Sequence, residues 1–221
     1  MRAIIIFLMS FSLANLISAQ ENKDLVYDDE QDDIRTLFGN HSIVHGGYGA
    51  ITVAYSEIDH FNAASIGARG AWIIGHWVAI GIGGTGFIND INYNTAEDQY
   101  TNLTGGYGGL LIEPIIIPTF PVHISLPVLA GAGGIAYVTS HGIADVYEPP
   151  TYVEDATSFF IVEPGAELEL NFLKHIRLAL GITYRFTSKI ILNDVPGVYP
   201  HIDNYPLNGW TGTVALKFGK F

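Results

Sequence analysis

Polar and apolar side chains alternate at every second position over long stretches of the chain, most sharply from Phe159 to Thr187. Glu163, Glu167 and Glu169 alternate with Val162, Ala166, Leu168 and Leu170, and Arg177 and Arg185 alternate with Leu178, Leu180, Ile182, Tyr184 and Phe186. A period of two is the mark of an extended strand whose successive side chains point to opposite faces. From Gly46 onward, eight segments of this character are separated by turn signals, at 46–58, 64–74, 77–88, 101–113, 121–138, 158–172, 176–187 and 210–221. Most reach the ~9–11 residues that a tilted strand needs to cross a bilayer.

The links between segments alternate in length. Short ones, "GH", "PIIIPTF" and "LKH", follow the second, fourth and sixth segments. Long polar ones, beginning at Asn89, Thr139 and Ser188, follow the third, fifth and seventh, while the first such link, "DHFNA", is shorter. Short turns on one rim and long loops on the other are the pattern of an outer-membrane barrel. The fold class expected is therefore all-β, an eight-stranded antiparallel up-and-down transmembrane β-barrel.

Which face carries the charge follows from the hairpin of the sixth and seventh segments. A three-residue turn at Leu173, Lys174 and His175 pairs Phe172 with Ile176, and so Asn171 with Arg177 and Glu163 with Arg185. Directly opposed residues share a face, so the odd-numbered charges all lie on one side, with Glu169 on the diagonal from Arg177. The even-numbered apolar set then faces lipid. Arg69 adds a cation from the second segment. The interior of an eight-stranded barrel is just filled by side chains, so acids enclosed there need basic partners. Glu163, Glu167 and Glu169 against Arg69, Arg177 and Arg185 make a balanced set, expected as a structural network in the lumen. A catalytic carboxylate pair is the sharper alternative, but buried charges generally occur paired.

Glycines at 81, 83, 105, 106, 108, 109, 131, 133 and 134 fit strands bending around a narrow barrel. They also erase the alternation in the fourth and fifth segments, whose inner face stays undecided. Pro127 and Pro164 cannot donate a ladder bond, so each is expected to mark a bulge or local break. Trp72, Trp77, Trp210, Tyr184 and Phe186 fall near strand ends, where aromatic girdles belong. Phe221 is out of phase with the even-numbered outer set of the last segment. Either a bulge near Gly219 restores the phase, or Phe218 ends the lipid face.

Composition adds location. The start, "MRAIIIFLMSFSLANLISAQ", has Arg2, an apolar run and then Ser18 and Ala19, which reads as a secretory signal peptide over 1–19. Its apolar run falls short of the ~20 residues of a spanning helix. Residues 20–42 read as an acidic flexible tail, with seven acids between Glu21 and Asp33 against Lys23 alone, and 43–221 as the barrel domain. The tail lacks the spaced ligands and glycine of a calcium loop. With no cysteine there is neither a disulfide framework nor a thiolate metal site. A net charge of −12 argues against a nucleic-acid partner. Mean hydropathy is nonetheless positive, at +0.28, with no long apolar run after the leader. A closed barrel is how such thinly spread apolar surface enters lipid without a helix.

Candidate chemistry is sparse. His41 and His45 lie on extended chain and make no helical zinc pair. His141, Asp145, Glu148, Glu154 and Asp155 share a presumed outer loop, which reads as solvated. His60 with Ser56 or Ser65 imitates the rim histidine and serine of lipid-modifying barrels, but no nucleophile elbow or other motif accompanies them. No catalytic residue, metal or cofactor is assigned.

The segments "HGGYGAITVAYSEI", "GARGAWIIGHW", "GGYGGLLIEP", "VEPGAELELNF" and "IRLALGITYRFT" carry a resemblance. The chain resembles the small outer-membrane β-barrels of Gram-negative bacteria, the class that includes the transmembrane domain of outer-membrane protein A, and more narrowly an uncharacterised Bacteroidota barrel family. The resemblance implies export to the outer membrane, contact with its lipid and with the barrel insertion machinery, and loops that meet an extracellular partner. The function expected is structural or surface-interacting and non-enzymatic. Two alternatives from other classes are a secreted, soluble lipocalin-like barrel binding a small ligand, and a lipid-modifying enzyme.

Overall fold

A computed structural model describes residues 44–94, 99–140, 152–192 and 203–221. The leader at 1–19, the acidic tail at 20–42, His41, His141, Asp145, Glu148 and the side chain of Glu154 lie outside the described residues. The described chain forms ten strands: β1 (His45–Ile58), β2 (Phe61–Ile74), β3 (Val78–Asn89), β4 (Asn92–Asn94), β5 (Gln99–Ile116), β6 (Val122–Ser125), β7 (Val128–Ser140), β8 (Tyr152–Leu173), β9 (Ile176–Thr187) and β10 (Gly209–Lys220).

All pairings are antiparallel. β6 and β7 lie end to end between β5 and β8 and act as one member of a ring, while β4 prolongs the hairpin against β5. The ring runs β1, β2, β3, β5, β6/β7, β8, β9, β10 and returns to β1, so it is the eight-membered up-and-down barrel expected from the sequence. Closure pairs what would otherwise be two sheet edges, which lets a β-structure sit in hydrocarbon. From Gly49 the partners run through Gly70, Ile82, Leu110, Ala130, Val162 and Phe186, and continuing that register returns to β1 about ten residues further on. A stagger of this kind tilts barrel strands by roughly 35–45°.

Two tight links close hairpins at opposite ends. Asp59 and His60 both have positive φ, 51° and 67°, the primed-turn geometry that matches strand twist. Gly75 and His76, at 60° and 64°, do the same at the other rim.

Parity decides the faces. In β2, β3, β5, β7, β8, β9 and β10 the odd-numbered residues point inward; in β1 the even-numbered ones do. Glu169 is 1% exposed and Arg185 1%, whereas Ile182 is 58% exposed and Phe160 73%. The glycine-rich β5 and β7, undecidable from sequence, therefore turn Leu103, Tyr107, Leu111, Ile135 and Tyr137 inward. Exposed Trp72 and Trp77 ring the short-turn end and Trp210 and Phe186 the long-loop end, as the girdle reading expects.

One local expectation, the three-residue turn, needs correction, and two that stood open are decided: each proline marks a local break, and Phe218 ends the lipid face. The proline positions interrupt pairing without a bulge. The segment read as one strand from 121 to 138 breaks at Leu126 and Pro127, yet β6 and β7 keep the same register against β5 and β8. Near Pro164 the β8–β9 ladder skips from Val162 to Gly165, again without a shift. Neighbouring carbonyls keep the frame, since Leu126 N donates to Pro114 O and Gly165 N to Pro127 O, at 2.9 and 2.8 Å. Register shifts fall instead between Tyr137 and Val138, and between Asn171 and Leu173. The second of these means that Leu173 stays in β8 and the turn is only Lys174 and His175, while Asn171 still faces Arg177. Finally, the β1–β10 ladder runs unshifted to Lys220, so no bulge rescues Phe221. Phe218 ends the outer face and Phe221 turns inward, stacking at 6.2 Å on Tyr48.

Candidate functional site

The lumen is built in three levels. At the short-turn end, Tyr48, Ala50, Ile73, Ala79 and Ile115 form a small apolar cluster. At the long-loop end, Ile58, Phe87, Leu103, Ile135, Phe159, Ile161, Ile190 and Leu207 form a larger one. Ile190 and Leu207 come from the β9–β10 connection, which is tied to the rim by Asp59 N donating to Pro206 O at 2.9 Å and Asp203 N to Asp59 Oδ1 at 3.0 Å.

Charged side chains from the short-turn half of the strands meet in a compact cluster. Glu113 comes from β5, Glu167 and Glu169 from β8, Arg177 from β9, Lys217 from β10 and Arg69 from β2. Arg69 Nη2 donates to both Glu167 oxygens, at 2.8 and 2.6 Å. Arg177 Nη1 donates to Glu169 Oε2 at 3.2 Å. Lys217 Nζ lies 2.5 Å from Glu169 and 3.1 Å from Glu167, and also contacts Glu113, which accepts the Tyr48 hydroxyl as well. His123 Nε2 is 3.0 Å from Glu169 Oε2, a geometry that makes this nitrogen a donor to the carboxylate. Three carboxylates thus face three permanent cations. Charges withdrawn from water are tolerable when paired and hydrogen-bonded in this way.

Glu113, Glu167 and Glu169 bring oxygens within 4.8 Å of one another, a spacing that would suit a metal ion. The ammonium of Lys217 already stands among all three. The cluster therefore carries its own cation.

Between the cluster and the long-loop cap is a cavity of about 70 Å³ lined by Thr52, Ser65, Glu163, Thr183, Thr211 and Thr213, among others. Glu163 is held there by Thr183 Oγ1 at 2.6 Å and the Tyr107 hydroxyl at 2.9 Å. Ser65, Thr211 and Thr213 direct hydroxyls without a protein partner into the same region. A chamber so polar, well above the ~10–15 Å³ that one water requires, suits bridging water.

Of the residues singled out from the sequence, the structure joins Arg69 to Glu167 and Arg177 to Glu169. It does not join Glu163 to Arg185, although the register sets them opposite each other. Arg185 instead donates through Nη2 to the Glu57 carbonyl at 3.0 Å, because its long side chain reaches toward the long-loop rim while two nearer hydroxyls hold Glu163. Glu113, His123, Tyr48 and Lys217 were missed. Lys217 had a readable signal, its odd number in a strand whose even residues are Val214, Leu216 and Phe218. His60 lies on the long-loop rim with Nδ1 3.5 Å from Glu57, while Ser56 and Ser65 are buried with no hydrogen-bond partner, so the imitation of a rim histidine and serine is not assembled.

No protein-family model matches the chain, and no curated protein does. Among solved structures it is similar to the N-terminal β-barrel domain of Pseudomonas aeruginosa OprF, at 9% identity and TM-score 0.42, covering 78% of this chain and 96% of that one. It is also similar to Neisserial surface protein A, at 12% and 0.46, covering 82% and 100%. A third is Ail, the attachment invasion locus protein of Yersinia pestis, at 10% and 0.39, covering 79% and 95%. The assignment of the fold stands on the closed ring of pairings itself.

Proposed function

We propose that the chain is an outer-membrane β-barrel protein with a structural or surface-interaction role and no catalytic activity. One observation carries this reading: polarity is inverted around the ring, with Ile51, Ile66, Ile82, Leu110, Phe160 and Ile182 exposed and Arg69, Glu167, Glu169 and Lys217 enclosed. A soluble lipocalin-like barrel needs the opposite, an apolar lumen inside a polar shell. In this reading residues 1–19 direct export and are removed, 20–42 form an acidic flexible tail, and lipid contacts the apolar belt. The barrel insertion machinery assembles the strands, and the long loops meet an extracellular partner. The ionic cluster serves to hold the narrow ring together. A lipid-modifying role finds no support in the placement of His60.

Fractionation of cells expressing the full chain tests the proposal. The protein is expected in the outer-membrane pellet, released by detergent but not by high salt or alkaline carbonate. Recovery in the soluble fraction without detergent would favour the lipocalin-like alternative.

A further inference from the structure

Among the described residues the two rims of the barrel carry opposite charge; the acids of residues 20–42 lie outside them. At the long-loop end the described residues include exposed Glu57, Asp90 and Asp203 and half-buried Asp155, against Lys189. At the short-turn end they include exposed Lys174 and Lys220, and among the described residues no exposed carboxylate side chain accompanies them. The acids of that half, Glu113, Glu167 and Glu169, are enclosed and matched by Arg69, Arg177 and Lys217, so they do not offset the rim.

The two lysines also sit at a particular height. Lys174 follows exposed Phe172 by two residues, and Lys220 follows exposed Phe218 by two. The His45 ring lies 5.1 Å from that of Trp72, and His76 adjoins exposed Trp77. Exposed aromatic rings at the edge of an apolar belt mark the headgroup level. A lysine just beyond them can lay its stem along the belt and lift its ammonium to the phosphates.

We propose that the short-turn rim is a contact surface for anionic phospholipid headgroups in the leaflet on that side, with Lys174 and Lys220 as the principal phosphate ligands. The inference rests on the membrane-barrel reading above. A basic group near an anionic bilayer surface gains attraction that decays within a Debye length, so the effect belongs to these rim residues and weakens with salt.

The test uses the full chain folded into phosphatidylcholine vesicles, with trace spin-labelled phosphatidylglycerol or phosphatidylcholine as the probe. The expected result is an association of the anionic probe about fivefold above the zwitterionic one at low salt, falling toward parity as salt rises. The Lys174→Glu/Lys220→Glu variant should insert equally well and lose the preference. Lys189→Glu, at the opposite rim, should keep it. Equal association of both probes with the inserted protein would overturn the inference and leave the barrel reading intact. So would loss of the preference in Lys189→Glu alone. Failure to enter phosphatidylcholine vesicles at all would instead count against the barrel reading.

Discussion

Lys217 is the residue on which the buried cluster turns, because its ammonium contacts Glu113, Glu167 and Glu169 at once. Replacing it by methionine keeps most of the volume and leaves three carboxylates with two guanidinium groups. Breaking a buried ion pair from one side typically costs about 3–5 kcal/mol. Lys217→Met is therefore expected to lower the unfolding free energy of the barrel in lipid vesicles by an amount of that order, read as a lower urea midpoint, and adding Glu113→Gln should restore part of it by removing one unpaired charge. An unchanged midpoint in the single variant would mean that the cluster does not hold the ring. Arg185→Leu is expected to cost less, about 1–3 kcal/mol, since it removes one hydrogen bond to the Glu57 carbonyl and a cation near Glu163, which Thr183 and Tyr107 still hold. The same titration checks it. Sequence parity placed the right charges on the inner face, but the partners across the lumen come from strands remote in sequence, such as β2, β5 and β10. That is why Arg69–Glu167 and Lys217–Glu113 could not be read from one hairpin.

For single elements, alternation made β8 and β9 legible, and their register followed from counting across the turn even though a bulge at Asn171 and Leu173 shortened the turn itself. β5 and β7 were not legible in the same way, because a glycine contributes no side chain to either face. Their inner glycines are accounted for by the close approach of backbone on adjacent strands, since a Cβ at 105, 109, 131 or 133 would first meet a neighbouring carbonyl oxygen. A Cβ on Gly133 would run into the Gly106 carbonyl oxygen and come within 2.6 Å of Tyr107 Cβ. On outward Gly84 the nearest atom would be 3.6 Å away. Gly133→Val is therefore expected to abolish the heat-modifiable folded band on electrophoresis, since overpacking against backbone cannot relax, while Gly84→Val should retain it. Equal tolerance at both positions would refute the assignment of faces in β7 and β3. The prolines were legible as local breaks: each removes one donor and interrupts its ladder, while neighbouring backbone groups keep the register on both sides.

At the scale of the whole molecule, closure and inverted polarity depend on each other. A ring of eight tilted strands leaves an interior filled by side chains, and only if that interior takes up the charge can the outside remain apolar enough for lipid. The chain's lack of cysteine allows single cysteines to be introduced and spin-labelled one at a time along β9. The decisive measurement is the accessibility of labels at Leu178, Leu180, Ile182 and Phe186 to oxygen dissolved in the bilayer, compared with a water-soluble relaxant, in vesicle-inserted protein. High oxygen accessibility at all four, with cysteines at Ala179 and Thr183 shielded from a membrane-permeant thiol reagent, is the expected result. Labels at Leu180 and Ile182 that respond only to the water-soluble relaxant, or that are shielded from both, would contradict it.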